Sequence, residues 1–247
     1  RTRHFRSLAE GVDRPILSPS RNPELKLPSY ASAYVFQIPD TQVAAAIVSL
    51  GVERNRMLFV ADLASAIRGE AKWRKVVDVT DRVTDVAYTN GWLYLRSSKD
   101  APRFKVVRMP LDRPEIAQAE SVIAPGPAVV VGMAGARDGL FVTQRDGPTL
   151  SLSRVPPAPA GALVKREPIA LPFAGNVAID SASTRLDGVV LELGGWAHAT
   201  KPWLFDGKAL TQLPFVKAGA FDAPADIEAR EVRVKSHDGV EVPMSIV

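Results

Sequence analysis

The sequence predicts an all-β fold, a partial β-propeller of about four and a half blades, each a four-stranded antiparallel sheet. Short runs rich in β-branched and apolar residues recur with a period of about 48 residues, which lies in the range of propeller repeats. Turn-forming pairs stand at equivalent places in three repeats, at Asn90-Gly91, Asp138-Gly139 and Asp187-Gly188. No long segment shows the apolar spacing of about 3.6 residues that a substantial helix requires.

Each repeat contains four strand-like runs, the number in one propeller blade. The first runs are apolar or alternating and begin at Ala33, Val83, Val129 and Asn176. The second runs begin near Gln42, Gly91, Gly139 and Gly188. The third runs begin at Met57, Phe104, Leu150 and Pro202. The fourth runs, read as outer strands, begin at Lys72, Glu120, Val164 and Leu210.

The repeats divide a propeller region of residues 1–226 into blades, which we place at residues 31–79, 83–124, 128–173 and 176–215. Residues 1–20 resemble only the outer strands of another blade, so the predicted ring is incomplete. The stretch from Ala61 to Trp73 falls in an outer connection, where we expect at most one short helical turn. Because such an arc leaves two apolar blade faces open, we expect the chain to be aggregation-prone or unstable on its own.

Composition excludes several classes of partner and site. Lys and Arg number 31 against 27 Asp and Glu, and the two signs are interspersed, so we expect no nucleic-acid partner. The absence of cysteine excludes disulfides, thiolate metal sites and thiol nucleophiles. No apolar run approaches about eighteen residues, and we expect no membrane partner. The compartment, cytoplasmic or periplasmic, stays open.

Three segments go beyond generic propeller character: residues 99–108 (KDAPRFKVVR), 231–247 (EVRVKSHDGVEVPMSIV) and 70–76 (EAKWRKV). The first is similar to a strand-loop-strand motif of the prolyl oligopeptidase family, peptidase family S9. The second resembles that family most closely, since Ser236 to Val247 fits its strand S-x-D-G-x-x-[VI]-P-[ML]-x-[IV]. The third looks like the family's run into an outer blade strand. The resemblance extends over the whole chain and identifies it with the family's N-terminal β-propeller domain.

This resemblance implies a propeller of the seven-bladed type on an α/β-hydrolase domain that cleaves short peptides after proline, using Ser, Asp and His of its own. It implies that residues 227–247 are a crossover strand into that domain, which this fragment lacks. The sequence has no G-x-S-x-G nucleophile elbow for His4, His198 or His237 to serve. We therefore expect no catalytic residue, no metal and no cofactor in this chain, and no activity of the chain alone.

Antiparallel strands reverse direction each time, so the loops joining second to third strands should all emerge on one face of the propeller. These loops are Leu50–Arg56, Ser97–Pro102, Gln144–Pro148 and Gly194–Lys201. In the family this face looks onto the hydrolase cavity, and Gly51, Val52 and Glu53 fall where its propeller reaches toward the outer peptide subsites. The candidate substrate-facing residues are Gly51, Val52, Glu53, Arg54, Lys99, Asp100, Arg145 and His198.

Four other groups of residues have a functional and a structural interpretation. Ser236-His237-Asp238 looks like a catalytic triad, but neighbours in sequence point to opposite faces, and Asp-Gly favours a turn. Residues 194–198 (GGWAH) are either a binding loop with an aromatic platform or a packed loop. The acidic set is either a metal site or a group of solvated strand ends, and it consists of Asp62, Asp78, Asp81 and Asp85. The basic set is either a phosphate site or a solvated blade edge, and it consists of Arg54, Arg56, Arg74 and Lys75.

The sequence is compatible with two alternative functions. The first is the substrate-gating portion of a prolyl oligopeptidase-like serine peptidase, whose partners are short proline-containing peptides and the hydrolase domain. The alternative is a non-enzymatic propeller that binds a protein or ligand as a scaffold, favoured by the absence of catalytic residues.

Overall fold

The computed structural model describes residues 3–6, 11 and 13–247. The strands within them form four four-stranded and two two-stranded sheets, all antiparallel. Along the four-stranded sheets the strands pair in sequence order, as in a propeller blade. The predicted all-β fold of four-stranded antiparallel blades is thus confirmed. Among the described residues, no helix has the length and apolar character needed to cross a bilayer.

The strands lie as follows. A first hairpin consists of β1 (Arg3–Arg6) and β2 (Asp13–Leu17). Blade 1 contains β3 (Ala31–Gln37), β4 (Val43–Leu50), β5 (Arg56–Asp62) and β6 (Arg74–Val77). Blade 2 contains β7 (Val83–Thr89), β8 (Trp92–Ser97), β9 (Lys105–Pro110) and β10 (Glu120–Ile123). Blade 3 contains β11 (Val129–Ala136), β12 (Gly139–Asp146), β13 (Thr149–Val155) and β14 (Glu167–Ile169). Blade 4 contains β15 (Asn176–Ala182), β16 (Val189–Gly195), β17 (His198–Phe205) and β18 (Leu210–Gln212). A last hairpin consists of β19 (Arg230–Lys235) and β20 (Glu241–Ile246).

In the part of the chain that the structure describes, helix occurs only in the connections. Helix α1 (Leu63–Arg68) lies in the outer connection of blade 1, and single 3-10 turns span Pro23–Leu25, Val79–Asp81 and Ile116–Gln118. Helix α1 is six residues long, longer than the one turn expected, because both ends are capped. The Asp62 carboxylate accepts a hydrogen bond from the Ser65 amide at 2.8 Å, and Gly69 ends the helix at a φ of 76°.

The first hairpin of each blade turns at a residue suited to positive φ. Asn90 and Gly91 have φ values of 51° and 81°, the sign that a type I′ turn requires at both positions. Gly188 has a φ of 77°, and a Cβ there would lie 1.7 Å from the Phe205 carbonyl oxygen. Both the positive φ and the close approach of the Phe205 carbonyl therefore require glycine at position 188.

Among the described residues, four clusters of buried apolar side chains lie between successive sheets, because neighbouring residues of a strand point to opposite faces. In β5, Leu58 packs toward blade 2 while Phe59 packs toward the first hairpin. In β12, Leu140 and Val142 pack toward blade 2 while Phe141 meets Phe205 of blade 4, with ring centroids 5.8 Å apart. Each such side chain contributes about 1.5–3 kcal/mol on burial, so the blades are stabilised chiefly by their neighbours.

The guanidinium of Arg108, on β9, is fully buried between blades 2 and 3. It lies 4.0 Å above the Trp92 ring and binds the Glu120 carboxylate at 2.9 and 3.0 Å. It also donates to the carbonyl oxygens of Ala158 and Pro159 at 2.8 and 2.7 Å. Arg108 therefore anchors the connection between β13 and β14 on blade 2.

Candidate functional site

The loops between second and third strands define what we call the loop face: residues 51–55, 98–104, 147–148 and 196–197. The linkers between blades lie at the same end, as the alternation of strand direction requires. The Val130 amide donates to the Arg103 carbonyl at 3.0 Å, and the Ser98 amide donates to the Arg82 carbonyl at 3.0 Å. The first contact joins the blade 2 loop to the start of β11, and the second joins it to the linker before β7. The blade 2 loop is therefore held in place on both sides.

The loops of blades 1 and 2 meet at the buried side chain of Phe104. The Arg54 guanidinium lies 4.8 Å from its ring centroid and that of Arg96 lies 5.0 Å away, both within cation–π range. Arg96 also donates to Thr84 Oγ1 at 3.1 Å and to the Val131 carbonyl. Burial lowers the pKa of Arg96, Asp85 opposes this effect and Arg54 adds to it.

A cavity of about 530 Å³ opens between blades 3 and 4, and Asp85 of blade 2 reaches it. Its charged lining consists of Asp85, Arg145 and Glu192. Burial raises the pKa of Asp85, while Arg96 and a hydrogen bond from the Val86 amide at 2.9 Å lower it. The cavity therefore presents both a cationic donor and carboxylate acceptors, the groups that bind the carbonyl and amide groups of an extended peptide.

A second cavity, of about 560 Å³, lies beside the blade 4 loop. Trp196 and Phe221 line it and are largely exposed, at 67% and 89%. His198 also lines it and stacks on Phe173, with ring centroids 4.0 Å apart and planes inclined by 5°. Residues 194–198 thus have features of both a packed loop and a binding loop. His198 packs on Phe173, whereas Trp196 presents an exposed aromatic surface.

Six of the eight predicted substrate-facing residues lie in the loop face, whereas Arg145 and His198 lie on the adjoining ends of β12 and β17. Glu53 accepts a hydrogen bond from the Asn55 amide at 2.9 Å beside the exposed Val52, and Gly51, with a φ of 59°, turns the chain. Lys99 pairs with Asp81 at 3.3 Å, and Asp100 turns the chain at a φ of 54°. Of the eight, Arg145 lines the first cavity, His198 lines the second, and Arg54 contacts the blade 2 loop.

Sequence reasoning did not single out Arg96, Phe104 or Glu192 as site residues. Phe104 has a φ of 67°, which places its ring inside the blade 2–3 cluster even though it precedes β9. Glu192 is an exposed residue of β16 whose neighbours Leu191 and Leu193 are buried. A polar residue between two apolar ones was a detectable signal for Glu192, whereas nothing in the sequence pattern distinguished Phe104.

The acidic set has structural roles at three of its four positions. Asp62 caps α1, and Asp78 and Asp81 cap the 3-10 turn of residues 79–81 reciprocally. Asp85 lines the first cavity. Within residues 3–6, 11 and 13–247, no three His, Asp or Glu side chains gather as metal ligands would.

The basic set is dispersed. Arg56 donates to Ser49 Oγ at 2.6 Å, and Arg74 donates to the Pro114 carbonyl at 3.0 Å. Lys75 pairs with Asp78, while Arg54 lies over Phe104. These different directions give the set no shared point at which to bind a phosphate.

The segment 227–247 contains the β19–β20 hairpin, whereas a single crossover strand was expected. The chain reverses at Asp238-Gly239, where Gly239 has a φ of 83° and Asp238 accepts a hydrogen bond from the Val240 amide at 3.1 Å. Ser236 Oγ lies 3.3 Å from His237 Nδ1 at this exposed turn. The sequence Ser236-His237-Asp238 is therefore part of a turn.

The last hairpin contacts the loop face at blade 3. Arg233 lies 3.8 Å from the Asp146 carboxylate, and Pro243 lies against Gly147, where a Cβ would come within 2.9 Å of the Pro243 Cβ. The segment that resembles the entry to a hydrolase domain thus lies on the side of the propeller that carries both cavities.

Comparisons with known proteins agree with this architecture. No family profile matches the chain. Prolyl oligopeptidase A of Amanita bisporigera is 23% identical over 239 residues, covering 84% of this chain and 28% of that protein. The solved structure of apo prolyl oligopeptidase B from Galerina marginata superposes with a TM-score of 0.72 at 18% identity, covering 87% of this chain and 31% of that one.

A solved prolyl endopeptidase structure superposes with a TM-score of 0.73 at 18% identity, covering 94% of this chain and 32% of that one. The chain therefore spans about a third of the length of these relatives. The segments singled out in the sequence lie within the described blades and the last hairpin. The chain thus has the fold of a partial β-propeller and is similar to prolyl oligopeptidases, at low identity in sequence and over most of its length in fold.

Proposed function

We propose that this chain is the substrate-gating propeller portion of a prolyl oligopeptidase-like serine peptidase that hydrolyses short proline-containing peptides. The catalytic Ser, Asp and His would belong to an α/β-hydrolase domain that faces the loop face. The observation that carries this proposal is the similarity of nearly the whole chain to prolyl oligopeptidases, of which it matches about a third.

Gating by size fits the dimensions of the loop face. Cavities of about 530 and 560 Å³ accommodate a few residues of an extended chain and exclude a folded domain. One solved Galerina marginata prolyl oligopeptidase B structure contains a 25mer macrocyclization substrate, and it superposes on 98% of this chain with a TM-score of 0.73. An unfolded peptide is therefore the proposed occupant of this face.

The proposed contacts come from residues in the loops or at the adjoining strand ends, which either carry hydrogen-bond donors or define the loop shape. Arg145 would donate to peptide carbonyl groups in the first cavity, and His198 with Trp196 would pack against an apolar or prolyl side chain in the second. Arg54, Lys99 and Asp100 would line the rim, with Gly51, Val52 and Glu53 shaping the blade 1 loop. The last hairpin, against Asp146 and Gly147, supports a hydrolase domain on the same side.

The test is hydrolysis of a fluorogenic proline-containing peptide by the product of the whole gene. We expect hydrolysis that a serine-reactive inhibitor abolishes, and a higher KM with nearly unchanged kcat in Arg145→Gln. Arg113→Gln, at an exposed position between β9 and β10, is the matched control and should leave both constants unchanged. A well-folded gene product without peptidase activity would contradict the proposal.

The alternative, a non-enzymatic binding propeller, is favoured by the exposed Trp196 and Phe221 side chains of the second cavity. The two functions differ in the coding sequence after Val247. A G-x-S-x-G motif there, some hundred residues downstream, favours the peptidase. A stop codon, together with peptide binding that Trp196→Ala abolishes, favours the scaffold.

A further inference from the structure

The turns between first and second strands lie at the end of the propeller opposite the loop face, and we call this end the turn face. They comprise residues 38–42, 90–91, 137–138 and 183–188. Polar contacts join the turns of blades 2, 3 and 4. Asn90 Nδ2 donates to the Arg137 carbonyl at 3.1 Å, and the Arg137 guanidinium binds the Asp187 carboxylate at 2.8 Å through two nitrogens. Polar contacts therefore connect the turn of blade 2 to that of blade 3, and the turn of blade 3 to that of blade 4.

One ion pair on the turn face joins blades that are not neighbours. The Arg185 guanidinium of blade 4 binds the Asp40 carboxylate of blade 1, with the terminal nitrogen at 2.7 Å from Oδ1 and Nε at 3.0 Å from both oxygens. The two residues are 145 positions apart. Such a two-nitrogen contact fixes the orientation of both side chains more than a single hydrogen bond does.

The pair borders a cavity of about 380 Å³ on the turn face, which is lined by Arg185 itself and by one residue from the first strand of each blade, Phe36, Tyr88, Gly135 and Ala182. Because the blades of a propeller surround a central channel, we call this cavity the turn-face end of the channel. The contact between Arg185 and Asp40 therefore spans the arc at the point where its inner strands converge. A peptide passing through this end would have to displace the two side chains.

The geometry points to a strap: the Asp40–Arg185 pair holds blades 1 and 4 together and closes the turn-face end of the channel, so that ligands enter from the loop face. This inference goes beyond the proposed function, because the strap would act on any ligand of the channel. Asp40 has a φ of 59°, a conformation that Asn adopts readily. Asp40→Asn therefore removes the charge while preserving the turn.

The test measures the distance between blades 1 and 4 directly. The chain has no cysteine, so Gln42→Cys and Leu186→Cys, at exposed positions of the two turns, accept nitroxide labels at those sites alone. The labelled chain is mixed with an excess of unlabelled chain, so that association contributes no distances between labels. Under these conditions we expect a single narrow distance distribution by double electron–electron resonance. Adding Asp40→Asn, or Arg185→Gln as an independent variant, should broaden the distribution and shift its mean to longer distance.

Arg68→Gln is the matched control, because it removes an exposed Arg–Glu contact from an outer connection and should leave the distribution unchanged. Circular dichroism establishes that each variant retains its sheets. A distribution that is already broad in the labelled parent, or one that both strap variants leave unchanged, would overturn the inference. These outcomes do not depend on peptidase activity, so the strap and the proposed function fail separately.

A second readout tests closure of the channel. Ala182 lines the cavity, so an Ala182→Cys thiol reports access from the turn face. We expect a bulky maleimide to label it several-fold faster when Arg185→Gln is added and at an unchanged rate when Arg68→Gln is added. Equal labelling rates with and without Arg185 would show that the pair does not close this end.

Discussion

Replacing Arg108 with Met should destabilise the protein by about 3 kcal/mol, the lower end of the cost of breaking a buried ion pair. Met preserves much of the stem volume but removes every donor of a fully buried guanidinium. The Glu120 carboxylate loses its cation, and the carbonyl groups of Ala158 and Pro159 lose their donors. The lower end of the range applies because the Glu120 side chain is 30% exposed and water partly replaces the lost contacts.

The free energy of unfolding is measured by urea titration, with an unchanged slope as evidence that the compactness of both states is retained. Arg108→Met/Glu120→Gln should be more stable than Arg108→Met alone, because no carboxylate is then left without its cation. Arg113→Met, at an exposed position, should change stability by no more than about 0.5 kcal/mol. An equally small change in Arg108→Met would refute the claim that the buried guanidinium anchors blade 3.

The pH dependence of the same variant has a defined sign. Burial raises the pKa of Glu120, but the Gly161 amide and Arg108 outweigh it and lower this pKa overall. A lowered carboxyl pKa contributes stability above the pKa of the unfolded chain, about 4.3, and this contribution is lost as the pH falls through the folded value. The stability difference between the parent and Arg108→Met should therefore decrease below about pH 4.

Three further changes test other parts of the structure by the same titration. Gly188→Ala should destabilise strongly, because its Cβ would lie 1.7 Å from the Phe205 carbonyl oxygen, whereas Gly161→Ala, with a φ of 70° and open space, has only the backbone cost. Asp62→Ala should reduce stability at neutral pH and converge with the parent in acid, since hydrogen bonds from Ser65 lower the Asp62 pKa. A last prediction concerns the unmutated chain and is tested by sedimentation. Because its terminal sheets leave apolar faces open, the isolated chain should associate at micromolar concentration, and a soluble monomer that melts cooperatively would contradict this.

The blades were predictable because the determining signals are local and repeat. The continuous apolar run Leu140-Phe141-Val142 specifies a strand that is buried on both faces, and Asn90-Gly91 specifies a tight turn. The burial of Arg108 was not predictable, because its partners at Ala158 and Pro159 lie 50 and 51 residues away. In sequence, Arg108 reads as the polar member of an alternating strand.

The sequence allowed us to predict which end of the propeller carries the site, but not which residues form it. The direction of antiparallel strands brings the four loops to one end, but which loop residues meet depends on side-chain directions that the repeat does not encode. Arg54 reaches Phe104, 50 positions later, and Arg96 arrives at the same ring from β8. The pair of Asp40 and Arg185 depends on the curvature of the whole arc, and the residues around each give no sign of the other.

Because the apolar clusters lie between sheets, no blade has a complete interior of its own, and the molecule behaves as a linear array of coupled units. Unfolding of such an array begins at its ends, so amide hydrogen exchange should be slowest in the middle blades and faster toward either terminus. A contact between the first and fourth blades changes this topology, because it couples two units that would otherwise fray independently.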